Sequence, residues 1–180
     1  AGCGLSCPSG DHAAFAECVM TLKNMAQPQR NVMGDNGLRY FNRYFNKETG
    51  RFIASGYPQT KEGQEIHIQS SYVLPLAFNI IDDADLRKKV LDNLVETVKN
   101  PGITDNGITC QPYSLMTGFI TTAWISKALS ENGRSDMAYR LLQQTSYPSW
   151  LYPVTQGATT IWERLDSYTH ERGFGGNNSM

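Results

Sequence analysis

Residues 147–166 have the sequence YPSWLYPVTQGATTIWERLD, and the interpretation of the whole chain starts from this stretch. Prolines and small residues alternate here with aromatic side chains, and a carboxylate stands directly beside a tryptophan. Tyr147, Trp150 and Tyr152 offer flat apolar faces with polar edges. Because a sugar ring has one apolar face and a rim of hydroxyl groups, aromatic platforms beside carboxylates are typical of a carbohydrate site.

The stretch resembles bacterial α-L-rhamnosidases, glycoside hydrolase family 78. In that family the motif Gly-Ala-Thr-Thr-x-Trp-Glu-Arg follows Tyr-Pro-Ser-Trp at about this distance, as residues 157–164 follow residues 147–150 here. The resemblance implies an all-α fold whose antiparallel helical hairpins form part of an (α/α)6 barrel. It also implies an inverting hydrolysis that removes terminal α-L-rhamnose from glycosides or polysaccharides.

The same resemblance implies that Glu163 is the general base that activates water. Arg164 can steady the charge of Glu163 through a charge-assisted hydrogen bond, and it is a candidate substrate-binding residue. Trp162, Trp150 and Tyr152 are the candidates for stacking on the sugar. The alternative is that these aromatics belong to an ordinary core and that Glu163 begins a helix, where the helix dipole favours a carboxylate.

The second carboxyl group of an inverting mechanism is not evident in this chain. The two groups stand ~6.5–9.5 Å apart, on opposite sides of the scissile bond. Asp166 follows Glu163 by three residues, so in a helix over residues 159–166 both would lie on one face, which makes Asp166 a poor general acid. Family members carry the acid upstream, in an acidic motif with tryptophan that is absent here. We therefore expect the acid to lie outside this chain and the chain alone to be inactive.

Apolar periodicity predicts about seven helices and no convincing strand. The predicted helices cover residues 11–27, 38–45, 60–81, 86–98, 115–129, 136–144 and 159–166. Pro28 is expected to end the first helix, residues 34–37 to form a turn, and Pro75 to kink the third helix. These helices are too few for a complete barrel. We therefore expect residues 1–180 to be a single partial catalytic domain, the C-terminal portion of the barrel truncated at both ends and completed by the remainder of its own barrel.

Composition excludes several classes of function. The 180 residues are 40% hydrophobic and 18% charged, which is typical of a globular protein. The formal net charge of −1 gives no reason to expect binding to nucleic acid, and no apolar run is long enough to cross a membrane. Cys3, Cys7 and Cys18 lack the tight C-x2-C spacing of zinc sites. We expect no metal and no cofactor, and a rhamnose-containing carbohydrate as the partner.

Two other functions fit the same residues. The chain could be a non-catalytic half-barrel that binds carbohydrate through its aromatic loop, or part of another six-hairpin glycosidase with a different sugar.

Trp124 lies on an apolar helical stripe and is predicted to be a core residue. His67 and His170 have no partner pattern in the sequence and are interpreted as solvent or core histidines.

Overall fold

A computed structural model of the protein describes residues 2–55, 61–105, 107–162 and 164–174. The chain forms two units: Ala1–Asn46 with Ile53–Gln64, and Lys47–Phe52 with Glu65–Met180. The helices within the described residues are α1 (His12–Asn24), α2 (Gln27–Arg43), α3 (Gln69–Ala77), α4 (Ala84–Lys99), α5 (Phe119–Thr122), α6 (Ile125–Glu131), α7 (Ser135–Gln143) and α8 (Tyr152–Thr155). The strands are β1 (Phe45–Asn46), β2 (Arg51–Ile53), β3 (Glu65–Ile66), β4 (Tyr168–Thr169) and β5 (Gly173–Phe174).

The first unit is built on α1 and α2. The carboxylate of Asp11 accepts the backbone N–H of Ala14 at 2.9 Å and so caps α1. Pro28 lies in the first turn of α2, so the prediction that it ends α1 is wrong. Proline is tolerated there because the N–H groups of the first turn have no acceptor within the helix. Neither helix has a buried residue.

The turn predicted at residues 34–37 is also wrong, because α2 continues through it. Composition alone is a weak guide where other contacts act on the helix. The side-chain amide of Asn36 donates to the carbonyl of Gly2 at 3.0 Å, and a Cβ on Gly37 would lie 3.6 Å from the Cβ of Cys3. The N-terminal segment therefore lies close against this part of the helix.

The second unit has its core among α3, α4, α6 and α7. Helix α3 packs on α4 and α6, and α6 packs on α7. The fully buried apolar side chains of these helices are Tyr72, Val73, Leu76, Val90, Leu94, Val98, Ile125, Leu129 and Leu141. The helix predicted at residues 86–98 is confirmed as α4, and its N-terminus is capped by Asp83, which accepts the N–H of Leu86 at 2.8 Å.

Other predicted elements differ from the structure. The helix expected over residues 115–129 is divided into α5 and α6, and the helix expected over residues 60–81 is confined to α3 within the described residues. No helix occurs between residues 159 and 166 where the chain is described. The β-branched residues Thr159, Thr160 and Ile161 follow one another there and disfavour a helix. Within the described residues the last helix is instead α8, with Pro153 in its first turn.

The short strands correct the prediction of a purely helical chain, although helices still dominate. The β4–β5 pair is antiparallel, with Tyr168 opposite Phe174 and Thr169 opposite Gly173. In the first unit the N–H of Ile53 donates to the carbonyl of Tyr44 at 2.8 Å, and that of Ala54 to Gln64 at 2.8 Å. Among the described residues, no helix has the length and apolar character needed to cross a membrane.

Candidate functional site

A cavity of about 860 Å³ opens in the second unit. Its walls come from the start of α3, the end of α4 with the loop that follows, the segment 115–118, the α5–α6 region and the aromatic stretch. The polar residues that line it are His67, Gln69, Thr97, Asn100, Thr104, Asp105, Thr117, Thr122, Arg164 and Asp166. A large cavity with apolar walls and a limited set of polar groups is the usual form of a small-molecule site.

Trp162 lines this cavity, yet its indole is only 7% exposed. The rings of Tyr168 and Phe174 stand edge-on to it, with centroids at 5.9 Å and 5.8 Å. The register of β4 and β5 places these two rings opposite one another, at 4.9 Å. The β4–β5 hairpin therefore holds the indole from the side, and most of its surface is used in aromatic packing.

Trp150 also lines the cavity and is half-buried, whereas Tyr152 does not belong to the lining. The ring of Tyr152 packs against Tyr147 at 5.3 Å and against Trp162 at 6.3 Å, both edge-on. Burial raises the pKa of the Tyr152 hydroxyl. Tyr152 therefore contacts Trp162 without lining the cavity itself.

Arg164 lines the cavity in a bidentate pair with Asp166. Its Nε lies 3.0 Å from Oδ1 and its Nη2 lies 2.7 Å from Oδ2 of that carboxylate. The hydrogen bond to Asp166 is the main reason that the pKa of Arg164 is raised. The sequence predicted that Arg164 steadies Glu163. Glu163 lies outside the described residues, so that contact stays a prediction, but its neighbours Trp162 and Arg164 both line the cavity.

His67 is a cavity residue that the sequence analysis did not identify as one. Its Nδ1 lies 2.7 Å from the hydroxyl of Tyr72, and its Nε2 lies 3.4 Å from Oε2 of Glu96. Burial, followed by the charge of Arg51, lowers the pKa of His67, while Glu96 and Glu65 act in the opposite direction. The hydroxyl of Tyr72 also donates to the carbonyl of Ile66 at 3.2 Å, so the tautomer of the His67 ring decides which group donates in the His67–Tyr72 contact.

His67 was interpreted as a solvent or core histidine because the sequence shows no partner pattern, and the structure gives it two partners. Its partners Tyr72 and Glu96 are 5 and 29 positions away, and only the packing of α3 on α4 brings Glu96 near. His170 also has a contact, since its Nδ1 lies 3.3 Å from the hydroxyl of Tyr168 in an exposed position.

Gln69 and Trp124 are two further cavity residues for which sequence reasoning predicted no part in this site. Gln69 lines the cavity although it is only 1% exposed. Trp124 was interpreted as a core residue. It is half-buried, contacts the ring of Phe78 at 4.7 Å and also lines the cavity. The burial of Gln69, and with it the need of its amide for partners, follows from the packing and is not visible in the local sequence.

No group of three or more histidine, cysteine, aspartate or glutamate side chains within the described ranges could hold a metal ion. Cys3, Cys7, Cys18 and Cys110 are all free thiols. The polar groups of the cavity are therefore described by their own hydrogen bonds and charges.

Residues 10–180 match the family model of the bacterial alpha-L-rhamnosidase 6 hairpin glycosidase domain. The chain is 42% identical over 106 residues to an alpha-L-rhamnosidase of Streptomyces avermitilis and 40% identical over 106 residues to one of Formosa agariphila. Both matches cover 59% of this chain, but only 9% and 10% of those proteins. The chain thus matches about a tenth of the length of these relatives.

The solved structures that the chain resembles are also alpha-L-rhamnosidases. The chain resembles the Streptomyces avermitilis alpha-L-rhamnosidase complexed with L-rhamnose, with a TM-score of 0.63 and 30% identity over 91% of this chain and 14% of that one. It resembles the alpha-L-rhamnosidase of Dictyoglumus thermophilum with a TM-score of 0.58 and 25% identity, over 92% of this chain and 16% of that one.

Proposed function

Because the chain belongs to the six-hairpin glycosidase domain family of bacterial α-L-rhamnosidases, we propose that it forms part of a catalytic domain that removes terminal α-L-rhamnose by inversion. Its helices would supply part of an (α/α)6 barrel, and the remainder of that barrel would complete the site. The natural partner is then a glycoside or polysaccharide that carries rhamnose. The observation that carries the proposal is that the family motif around Trp162 borders a cavity of about 860 Å³ in the second unit.

The cavity supports a sugar as its occupant. Trp150, Trp162 and Trp124 supply apolar surface, and threonine, asparagine and histidine side chains supply hydrogen-bonding groups. Its volume of about 860 Å³ exceeds what a single sugar ring needs, so it has room for a monosaccharide and a neighbouring group. Trp150 is the better stacking platform, because the indole of Trp162 is 7% exposed and enclosed by other rings.

Glu163 is the proposed general base. In the sequence it stands between Trp162 and Arg164, which both border the cavity, and this place in the family motif supports the assignment. Asp166 is a poor candidate for the acid, because the guanidinium of Arg164 contacts both of its oxygens. Because the acidic, tryptophan-containing motif that carries the acid in the family is absent from this sequence, the general acid is proposed to lie outside this chain.

The first test is Glu163→Gln in the full-length protein that contains this chain, assayed on an aryl α-L-rhamnoside. A lost general base lowers kcat by roughly 10²–10⁴-fold. The matched control is Glu171→Gln, an exposed glutamate of the same segment, which should leave kcat unchanged. An unchanged rate in Glu163→Gln would remove this residue from the mechanism. Proton NMR early in the reaction should show the β-anomer of rhamnose, and release of the α-anomer would exclude inversion.

A second test uses the 180-residue chain by itself. Without the general acid we expect no turnover of an alkyl α-L-rhamnoside, whose leaving oxygen must be protonated. Substantial hydrolysis by this chain would show that both carboxyl groups lie within it. If the full-length protein bound L-rhamnose and hydrolysed no rhamnoside, the non-catalytic carbohydrate-binding function would replace the one proposed.

A further inference from the structure

Gln69, the first residue of α3, is 1% exposed and makes a hydrogen bond with every part of its side-chain amide. Its Nε2 donates to the carbonyls of Thr97 at 3.2 Å and Ser114 at 2.9 Å, and its Oε1 accepts the N–H of Met116 at 2.9 Å. We infer that Gln69 is a positioning residue that joins three walls of the cavity and sets their separation. This inference rests on the proposed function, because it assumes that the cavity holds the sugar.

The first wall is the end of α4, where a backbone carbonyl needs an external donor. In a continuing helix the carbonyl of Thr97 would accept the N–H of residue 101. That residue is Pro101, which has no N–H. The amide of Gln69 supplies a donor instead, and the neighbouring carbonyl of Val98 accepts the N–H of Tyr113 at 2.8 Å. The proline thus creates the vacancy that Gln69 fills.

The second wall is the segment 114–118, which has no regular secondary structure. Tyr113 enters it with a φ of 69°, an unusual value for a tyrosine, so the direction of the segment depends on contacts that hold it. Gln69 binds the segment on both sides of Leu115, through Ser114 and Met116. Beyond this anchor, Met116, Thr117 and Gly118 border the cavity.

The third wall is the aromatic stretch, which is linked through the same segment. The N–H of Leu115 donates to the carbonyl of Pro148 at 2.8 Å, so the strip of backbone that Gln69 holds also carries the loop that leads to Trp150. Only an amide supplies two donors and one acceptor in this geometry. A glutamate would set carboxylate oxygens against two carbonyls, and an apolar side chain would leave all three backbone groups unpaired.

The test compares Gln69→Met with Asn93→Leu in the full-length protein. Each variant replaces a buried side-chain amide by an apolar side chain of similar volume. Asn93 is 8% exposed and donates to the carbonyls of Thr49 at 2.9 Å and Gly50 at 3.2 Å, but it does not line the cavity. Both variants are expected to unfold at lower temperature than the wild type. At a temperature where circular dichroism shows each to be folded, kcat/KM on an aryl α-L-rhamnoside is measured together with the Kd for L-rhamnose.

Gln69→Met is expected to lower kcat/KM by at least about tenfold and to weaken rhamnose binding, since a shift of about 1 Å in a positioning element can cost about 10²-fold. Amide hydrogen exchange at residues 114–118 should accelerate in this variant. Asn93→Leu should change none of these. Equal losses in the two variants, or an unaltered kcat/KM in Gln69→Met, would overturn the inference. A wild-type protein that neither binds nor hydrolyses rhamnosides would instead overturn the proposed function.

Discussion

His67 stands where the buried core of the second unit meets the cavity, and its side chain is 28% exposed. Burial and the nearby Arg51 lower the pKa of His67 below its usual 6.5. The folded state therefore binds this proton more weakly than the unfolded state does. Stability rises with pH wherever the unfolded state holds more protons, so His67 costs stability as the pH falls through 6.5 towards the folded-state pKa.

This pH dependence predicts how the stability of the His67→Gln variant differs from that of the wild type. The variant has no imidazole to protonate, so its melting temperature should improve relative to the wild type as the pH falls from roughly 8 to roughly 5. Glu96→Gln should act in the opposite direction, because Glu96 raises the pKa of His67 and its loss deepens the penalty. Thermal unfolding across this pH range checks both variants. A melting-temperature difference between His67→Gln and the wild type that is independent of pH would contradict the assignment.

The residues of the site could be predicted from sequence only where they belong to the motif. Trp162, Trp150 and Arg164 border the cavity and Tyr152 packs on Trp162, while their binding of substrate stays a prediction. Gln69 could not be found in this way, because its partners lie 28 to 47 positions further along the chain. Contacts of that separation depend on how α3 and α4 pack and leave no local pattern.

Helix α4 shows why some elements could be predicted and others not. Its apolar residues face the core, charged residues cover the other side, and Asp83 stands at its N-cap, so all local signals agree. The region 159–166 has aromatic and apolar residues with roughly helical spacing, but three β-branched residues in a row oppose a helix. The indole of Trp162 packs on the rings of Tyr168 in β4 and Phe174 in β5 instead. Strands of two or three residues are too short to show an alternation.

The cap of α4 leads to a further prediction. The Asp83 carboxylate accepts the N–H of Leu86 at 2.8 Å, and α4 carries core residues, so Asp83→Ala should lower the free energy of unfolding by about 1 kcal/mol. The control is Asp82→Ala, an exposed neighbour that precedes the cap and should have a much smaller effect. Urea denaturation followed by circular dichroism measures both variants. Equal effects would mean that the loss of charge, rather than the loss of the cap, is responsible.

The two helices of the first unit leave large apolar side chains exposed, whereas the helices of the second unit bury many of theirs in a core. Phe15, Val19 and Leu22 repeat along α1 at helical spacing, yet they are 62%, 47% and 37% exposed. Val32 and Leu38 on α2 are 56% and 58% exposed. The chain matches about a tenth of the length of its relatives, and exposed apolar stripes of this kind mark surfaces that other protein normally covers. The remainder of the proposed barrel is the natural cover.

The 180-residue chain alone is therefore expected to self-associate as its concentration rises, which light scattering coupled to gel filtration detects. Replacing Phe15 and Val19 together by serine should shift the chain towards the monomer, because both side chains lie on one face of α1. The matched control replaces Tyr139 and Leu142 together by serine. These side chains are 65% and 49% exposed on α7, a helix whose other face is already buried. Only the α1 pair should reduce association. A chain that stays monomeric throughout, or an equal effect of the α7 pair, would show that the α1 stripe needs no partner.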